Sequence, residues 1–233
     1  MTIKNQTKRV HFADLPSTQD YAKEKRADGV PLIVTADMQS GGKGTKGRSF
    51  SSLDGGVYLS KLSFFENFPA KNAFLIMARA ATAVCETLHF YGLQPLIKWP
   101  NDIWVQDKKI CGILIENVFS GDRIASSLVG IGLNVNNPLP KDLQTIATTM
   151  QKETGKTYCV NAVTERLIAE LEKERDMDEY RAYIGYMGRQ ATLILGNESV
   201  HGTLISVGDK GDLTVEVDGE YRVLTAAEVS VRL

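Results

Sequence analysis

The sequence predicts an α+β chain in which a larger domain of strands and helices, residues 1–187, precedes a small all-β domain, residues 188–233. Three patterns carry this expectation. Lys71–Tyr91 places Ile76, Met77, Ala80, Ala83, Val84, Leu88 and Tyr91 on one stripe at helical spacing. Ile124–Asn136 instead alternates with period two, Val129, Ile131, Leu133 and Val135 on one face and Gly130, Gly132 and Asn134 on the other. From Gln190 the chain becomes short β-rich runs at Ala191–Leu195, Val200–Val207, Leu213–Val217, Tyr221–Leu224 and Val229–Leu233. Gly196-Asn197, Asp209-Lys210-Gly211 and Asp218-Gly219 supply turn residues between them, which suits a partly open β-barrel and a boundary near Gly185–Arg189.

The remaining elements follow in order. Val10–Phe12 reads as a short strand, and Ser17-Thr18-Gln19-Asp20 has the hydroxyl-then-acid spacing of a helix start, with the helix running to about Arg26. Leu32–Ala36 is a strand after the Gly29-Val30-Pro31 turn, and Val57–Phe64 is another. Asn161 is expected to cap a helix from Ala162 to about Ile184, with Val163, Leu167, Ile168 and Leu171 inward and the Glu172–Glu179 run in water.

With 43% hydrophobic residues in 233, the chain can bury a full core, and its net charge of −1 provides no field to gather nucleic acid or a membrane surface. An anionic ligand must therefore meet a local cluster of cations. The run Ala73–Val84 is interrupted by Arg79 and too short to span a bilayer, and the start MTIKNQTKRVHF lacks a signal peptide's apolar stretch, so a cytoplasmic location is expected. Cys85, Cys111 and Cys159 are odd in number, scattered and without nearby His, which argues against a disulfide framework and a zinc site.

Two stretches carry chemistry. Within Gly41–Arg48, four glycines and three cations fall in eight positions. Glycines let backbone N–H groups approach a ligand, and Lys43, Lys46 and Arg48 supply charge, together what a phosphate needs. It is not a P-loop, because Gly44 follows Lys43 where that motif has Ser or Thr. A mobile, solvated loop is the plain alternative, and such a loop would be disordered when empty. The second stretch, Ile97–Glu116, reads as a hairpin with arms Ile103–Val105 and Ile110–Ile115 and a turn at Gln106–Lys109. Pro100 breaks the first arm, so Trp99-Pro100-Asn101-Asp102 must kink. A structural hairpin does not need Lys98, Asn101, Asp102 and Lys109 gathered at one end. Glycines at 130 and 132 weaken a strand unless a ligand, or a closely packed helix, lies against that face.

Together, Ser17-Thr18-Gln19, the Gly42–Phe50 loop, Lys98-Trp99-Pro100-Asn101-Asp102, Lys109-Ile110-Cys111-Gly112 and Gly130-Ile131-Gly132-Leu133-Asn134 resemble, in order and spacing, the biotin–protein ligases. The resemblance covers nearly the whole chain. It implies a catalytic domain with a mixed sheet whose floor carries both ligands, followed by a small barrel. It also implies condensation of biotin with ATP, using Mg2+, to biotinyl-5′-adenylate, then transfer of biotin to a lysine of a carrier domain. The implied partner is the biotin carboxyl carrier protein of acetyl-CoA carboxylase or a related carboxylase, with no nucleic acid or membrane, the enzyme being a monomer or homodimer. The chain begins just before the Ser-Thr-Gln motif, so neither the N-terminal DNA-binding domain of some relatives nor repressor activity is expected.

Carried over by position, the resemblance places Ser17, Thr18 and Gln39 on the ureido ring of biotin, with Gly42, Lys43, Gly112, Gly130 and Gly132 around it. Lys109 corresponds to the catalytic lysine, and Arg48 and Lys43 join it as cations for catalysis. Arg48, Phe50, Lys98, Asn101 and Asn134 correspond to the nucleotide side, and Asp102 to a magnesium contact. The loop departs from the family's Gly-Arg-Gly-Arg-Arg-Gly-Arg-x-Trp pattern at Lys43, Thr45 and Phe50. Lys43 loses the guanidinium fork, Phe50 offers a smaller ring than Trp, and Thr45 removes a cation. Two alternatives stand beside this reading. A lipoate–protein ligase would share the two-step logic but is expected to carry an Arg-Arg-x-Ser-Gly-Gly-Gly run, which is missing here. A non-catalytic module that holds biotin or a carrier would need neither Lys109 nor the cationic loop.

Overall fold

Strands β1 (Lys8–Leu15), β2 (Leu32–Gln39), β3 (Val57–Pro69), β4 (Leu96–Lys98), β5 (Asp102–Val105), β6 (Lys108–Ser120) and β7 (Arg123–Leu133) form one mixed sheet in the order β1-β2-β3-β7-β6-β5-β4. β1 and β2 are parallel and the other neighbours antiparallel. The computed structural model describes residues 6–195, 198–225 and 229–232, so the turn expected at Gly196-Asn197 and the strand end at Leu233 lie outside the described residues.

The alternation in β7 partitions the two faces. Val129, Ile131 and Leu133 join the main core beneath α2 (Ala73–Phe90), together with Leu59 and Ile113. On the other face Leu62 and Leu128 pack against Ala22 of α1 (Thr18–Glu24), making a second, smaller core. The stretch Ala70–Phe90 is long and apolar enough to cross a membrane. Its middle is nevertheless taken up by the core: Ala78, Ala81, Ala83, Val84, Cys85 and Leu88 are fully buried, Phe90 at its end is exposed, and Arg79 pairs with Glu174.

Ile97–Glu116 differs from a single hairpin. β4 pairs with β5 across the Trp99–Asn101 turn, bringing Lys98 opposite Asp102, and β5 pairs with β6 across a turn of only two residues. Gln106 and Asp107 both take positive φ there, 47° and 62°, so Lys108 and Lys109 belong to the strand.

The helix expected over Ala162–Ile184 is two helices. α3 (Met150–Thr154), capped by Thr149, precedes α4 (Val160–Leu171), whose N-cap is Cys159 rather than Asn161. Past Leu171 the chain turns so that Arg175 reaches back to Glu170, a buried ion pair, and Asp176 then starts α5 (Met177–Ala182) with a reciprocal capping box to Glu179. Arg175 and Met177 are therefore buried, against the expectation of a solvated run.

β8 (Gln190–Leu195), β9 (Glu198–Val207), β10 (Leu213–Val217), β11 (Glu220–Leu224) and β12 (Val229–Arg232) stand at the five expected positions and form an antiparallel sheet ordered β11-β10-β9-β8-β12. This sheet is tied to the kink. The Trp99 indole N–H donates to Gly211 O at 2.9 Å, the Trp99 backbone N–H to the Tyr186 hydroxyl, and Arg181 Nε to Val207 O at 2.7 Å. Leu193, Leu204 and Val215 belong to the same apolar core as α2.

Candidate active site

A cavity opens above the middle of the large sheet. Gly112, Gly130 and Gly132 line its floor, Ser17, Thr18, Gln19 and Gln39 one end, Asn101 and Lys109 another, and Lys43, Gly44, Thr45 and Phe50 of the loop lean over it. The floor glycines answer to close approach. A β-carbon on Gly130 would stand 2.5 Å from Gln19 Oε1, one on Gly132 2.5 Å from Phe50 Cε1, and one on Gly112 3.1 Å from Lys109 Nζ.

The polar end is a buried hydrogen-bond array. Ser17 caps α1, its Oγ accepting from Asp20 N–H at 3.2 Å, so the plain capping role is present in a residue that also lines the cavity. Gln39 Oε1 accepts from Thr18 N–H at 2.8 Å, and Gln39 Nε2 donates to Ser52 Oγ at 2.9 Å. Ser60 Oγ lies 2.9 Å from Thr18 Oγ1 and donates to Gln19 Oε1 at 3.1 Å. Gln19 Nε2 points on to Glu116 Oε1 at 3.4 Å, and Lys23 Nζ donates to Glu116 Oε2 at 2.8 Å. Burial pushes the Glu116 carboxyl up, but the hydrogen bonds from Lys23 and Gln19 outweigh it and hold the group below the usual range.

At the cationic end, Lys109 Nζ is 2.7 Å from Asp102 Oδ1. Two backbone bonds to the 146–148 segment, Lys109 N–H to Ile146 O and Thr148 N–H to Lys109 O, pin the start of β6. Asn101 Nδ2 donates to Ile113 O at 2.8 Å across the strand pair. Cys111, next along, is buried, which raises its thiol pKa and makes it a poor nucleophile.

The glycine-rich loop is folded back on itself. Phe50 N–H donates to Gly42 O at 2.8 Å, Gly44 N–H to Arg48 O at 2.7 Å, and Thr45–Gly47 forms a tight turn. Lys43 Nζ lies 2.6 Å from Asp20 Oδ1, whose hydrogen bond raises the lysine's pKa. Lys43 of the loop thus has an acidic partner. Asp20 is 23 residues away and becomes a neighbour only when α1 docks beside the loop.

Of the residues singled out in the sequence, Ser17, Thr18, Gln39, Lys43, Phe50, Asn101, Lys109, Gly112, Gly130 and Gly132 line this one cavity. Five others stand outside its lining. Gly42 is buried under the loop, where a β-carbon would meet Phe50 O at 2.4 Å. Exposed Arg48 turns back on Thr45, Nε to its carbonyl at 3.2 Å and a terminal nitrogen to its hydroxyl at 3.1 Å. Lys98 sits 4.2 Å above the Trp104 ring centroid, and Asp102 stands beside the cavity through Lys109. Asn134 is buried and bonded on both sides, donating to Thr148 O and accepting from Asn137, each at 3.1 Å.

Sequence reasoning passed over Gln19 as a site residue, and Ser60 and Glu116 altogether. Ser60 had a signal: it is a small hydroxyl at an inward position of Val57–Phe64, where an apolar residue is usual. Among the described residues no three His, Cys, Asp or Glu side chains gather as a metal cluster.

Comparison with known proteins agrees with this layout. The profile of the biotin/lipoate A/B protein ligase family matches residues 12–136. The bifunctional ligase/repressor BirA of Bacillus subtilis is 31% identical over 93% of this chain and 72% of its own length. The biotin–[acetyl-CoA-carboxylase] ligase of Mycobacterium tuberculosis is 28% identical over 87% of this chain and 79% of its own. Among solved structures, the biotin protein ligase of Aquifex aeolicus in complex with biotin and ATP superposes with a TM-score of 0.74 at 27% identity, covering 97% of this chain and 98% of that one.

Proposed function

Since the chain belongs to the biotin/lipoate A/B protein ligase family, we infer that it is a biotin–protein ligase, joining biotin to ATP as biotinyl-5′-adenylate with loss of diphosphate and passing biotin to a lysine of a carrier domain. One observation carries the reading. A buried amide-and-hydroxyl pocket and an oriented lysine stand at two ends of a single glycine floor, so one elongated ligand can touch both.

Attack of a carboxylate on an α-phosphate brings two anions together, so the chain must supply fixed positive charge and orientation. We assign Lys109 to the developing charge and Asp102 to holding its ammonium group in place. Thr18, Gln39 and Ser17 take the ureido ring over Gly112, Gly130 and Gly132. Asn101 and Phe50 serve the nucleotide, with Lys43 and Arg48 adding charge once they leave Asp20 and Thr45. Asn134 supports from behind by fixing the 148 segment, and Lys98 by anchoring on Trp104.

Asp102 is a single carboxylate already neutralised by Lys109, a donor set that fits magnesium carried in on nucleotide phosphates better than a resident ion. Bound there, magnesium would neutralise phosphate charge. The partner is a carboxylase carrier domain met in the cytoplasm, and no role in nucleic-acid binding is assigned.

The test is incubation with ATP labelled at the α-phosphate, magnesium and biotin, followed by addition of an unmodified carrier domain. Labelled adenylate and unlabelled diphosphate should form with biotin, and carrier should gain biotin. Equal product with lipoate, or none with biotin, would overturn the assignment.

A further inference from the structure

The array at the polar end contains four oxygens in a row: Gln39 Oε1, Thr18 Oγ1, Ser60 Oγ and Gln19 Oε1, separated by 3.0, 2.9 and 3.1 Å. Two hydroxyl hydrogens serve those three contacts, so one contact always lacks a proton. Thr18 N–H satisfies the Gln39 end. Both hydroxyl hydrogens can then run toward Gln19 Oε1, which accepts one from Ser60 and keeps a second lone pair where it lies against Gly130.

Which end of the Gln19 amide faces the cavity depends on what lies behind it. Glu116 Oε1 does, and Glu116 is in turn bonded to Lys23. An ionised carboxylate only accepts, so it must face the amide's NH2 group and turn the oxygen forward. Gln19 is 4% exposed, so no water competes freely for that choice.

Resting on the biotin-ligase reading, we propose that Glu116 is a positioning residue which, paired with Lys23, locks the Gln19 amide oxygen toward Ser60 and the floor, so that the pocket offers an acceptor to a ring N–H of the ligand. Gln19 is then the residue that touches the ligand, and it selects a ring bearing an N–H donor. Sulfur or methylene at that point would leave the oxygen's second lone pair, beside the one Ser60 fills, without a donor. Charges facing Glu116 come from Lys23 of α1, from Arg26 in the turn after it, and from the loop's Lys43.

The experiment measures adenylate formation against biotin and ATP separately. Glu116→Gln keeps size but can both donate and accept, so the Gln19 amide is free to flip. KM for biotin should rise about tenfold, the size of one neutral hydrogen bond, with kcat and KM for ATP within about threefold of wild type. Gln19→Met should raise KM for biotin similarly, and adding Glu116→Gln to it should bring no further rise, because the positioning residue then has nothing to position. A KM for biotin in Glu116→Gln within twofold of wild type, or full additivity in the double variant, overturns the proposal while leaving the activity assigned. Should Glu116→Gln not fold, an unchanged KM in Gln19→Met alone overturns it. Wild type that makes no adenylate from biotin overturns the functional reading instead.

Discussion

The Phe50 ring lies against Gly132 so closely that a β-carbon on the glycine would stand 2.5 Å from Cε1. The loop's one aromatic ring is thus seated on the strand that forms the cavity floor. Gly132→Ala should therefore displace Phe50 and open the loop, weakening adenylate formation by the equivalent of about 1–3 kcal/mol, the usual penalty of overpacking. In a Phe50→Ala background the same change should be much milder. A double-mutant cycle on the adenylation rate checks this, and additive effects would separate the two residues.

Lys109 and Asp102 should be unequal partners. Lys109→Ala is expected to add on the order of 3 kcal/mol to the adenylation barrier, because Lys43 and Arg48 come from the loop and do not take the fixed position its charge holds on β6. Asp102→Asn keeps the lysine but loosens it, so a smaller loss is expected. Both residues are partly exposed, so neither change should lower Tm much. Single-turnover adenylation distinguishes these outcomes; a Lys109→Ala rate within threefold of wild type would contradict the assignment.

The strand alternation of Ile124–Asn136 was enough to place Gly130 and Gly132 on the face opposite Ile131, because period two follows from backbone geometry alone. The five C-terminal strands were legible from their β-rich runs and the turn residues between them. What could not be read depended on distant partners. Lys43 meets Asp20, and Gln19 meets Glu116, only after α1 has docked on the sheet. Asn134 stood in a ligand-like motif, yet its amide is taken up by the 148 segment, whose short helix had no apolar period to reveal it. The break after Leu171 was hidden because Glu170 looked like any surface glutamate; its burial is a tertiary effect.

That glutamate should matter more for stability than any ion pair at the site. Glu170 is 1% exposed and receives Arg175, Arg166 and Lys173. Glu170→Ala removes the buried counter-charge of Arg175 and leaves it only the half-exposed Glu179 at 3.1 Å, so a loss of about 3–5 kcal/mol is expected in urea unfolding. A change below about 1 kcal/mol would mean that its existing pair with Glu179, together with water, suffices for Arg175.

The Lys43–Asp20 pair belongs at the other extreme. Both side chains are nearly half exposed, so Asp20→Asn should leave Tm almost unchanged. Its effect should appear as loop opening, seen as faster trypsin cutting after Arg48. Biotin with ATP should slow that cutting in both proteins, since ligand rather than Asp20 then holds the cations. Equal cutting with and without ligands would rule out closure of the loop over the cavity.

Thr45 gives the last prediction, because here the loop departs from the arginine-rich pattern. Its carbonyl and hydroxyl both accept from Arg48, so the residue that lacks a charge also holds a neighbouring charge away from the cavity. Thr45→Arg changes two things together: it adds a cation beside the floor and removes the hydroxyl acceptor of Arg48. A charge-assisted hydrogen bond to a bound adenylate contributes roughly 1.5–3 kcal/mol, so escape of the intermediate should slow about tenfold to a hundredfold. Thr45→Val separates the two causes, since it frees Arg48 from the hydroxyl without adding charge, and it should slow escape only slightly because the carbonyl contact remains. The measurement is a chase of preformed labelled adenylate with carrier absent. Release from Thr45→Arg as fast as from wild type would place position 45 away from the intermediate, and equal slowing in both variants would assign the effect to Arg48.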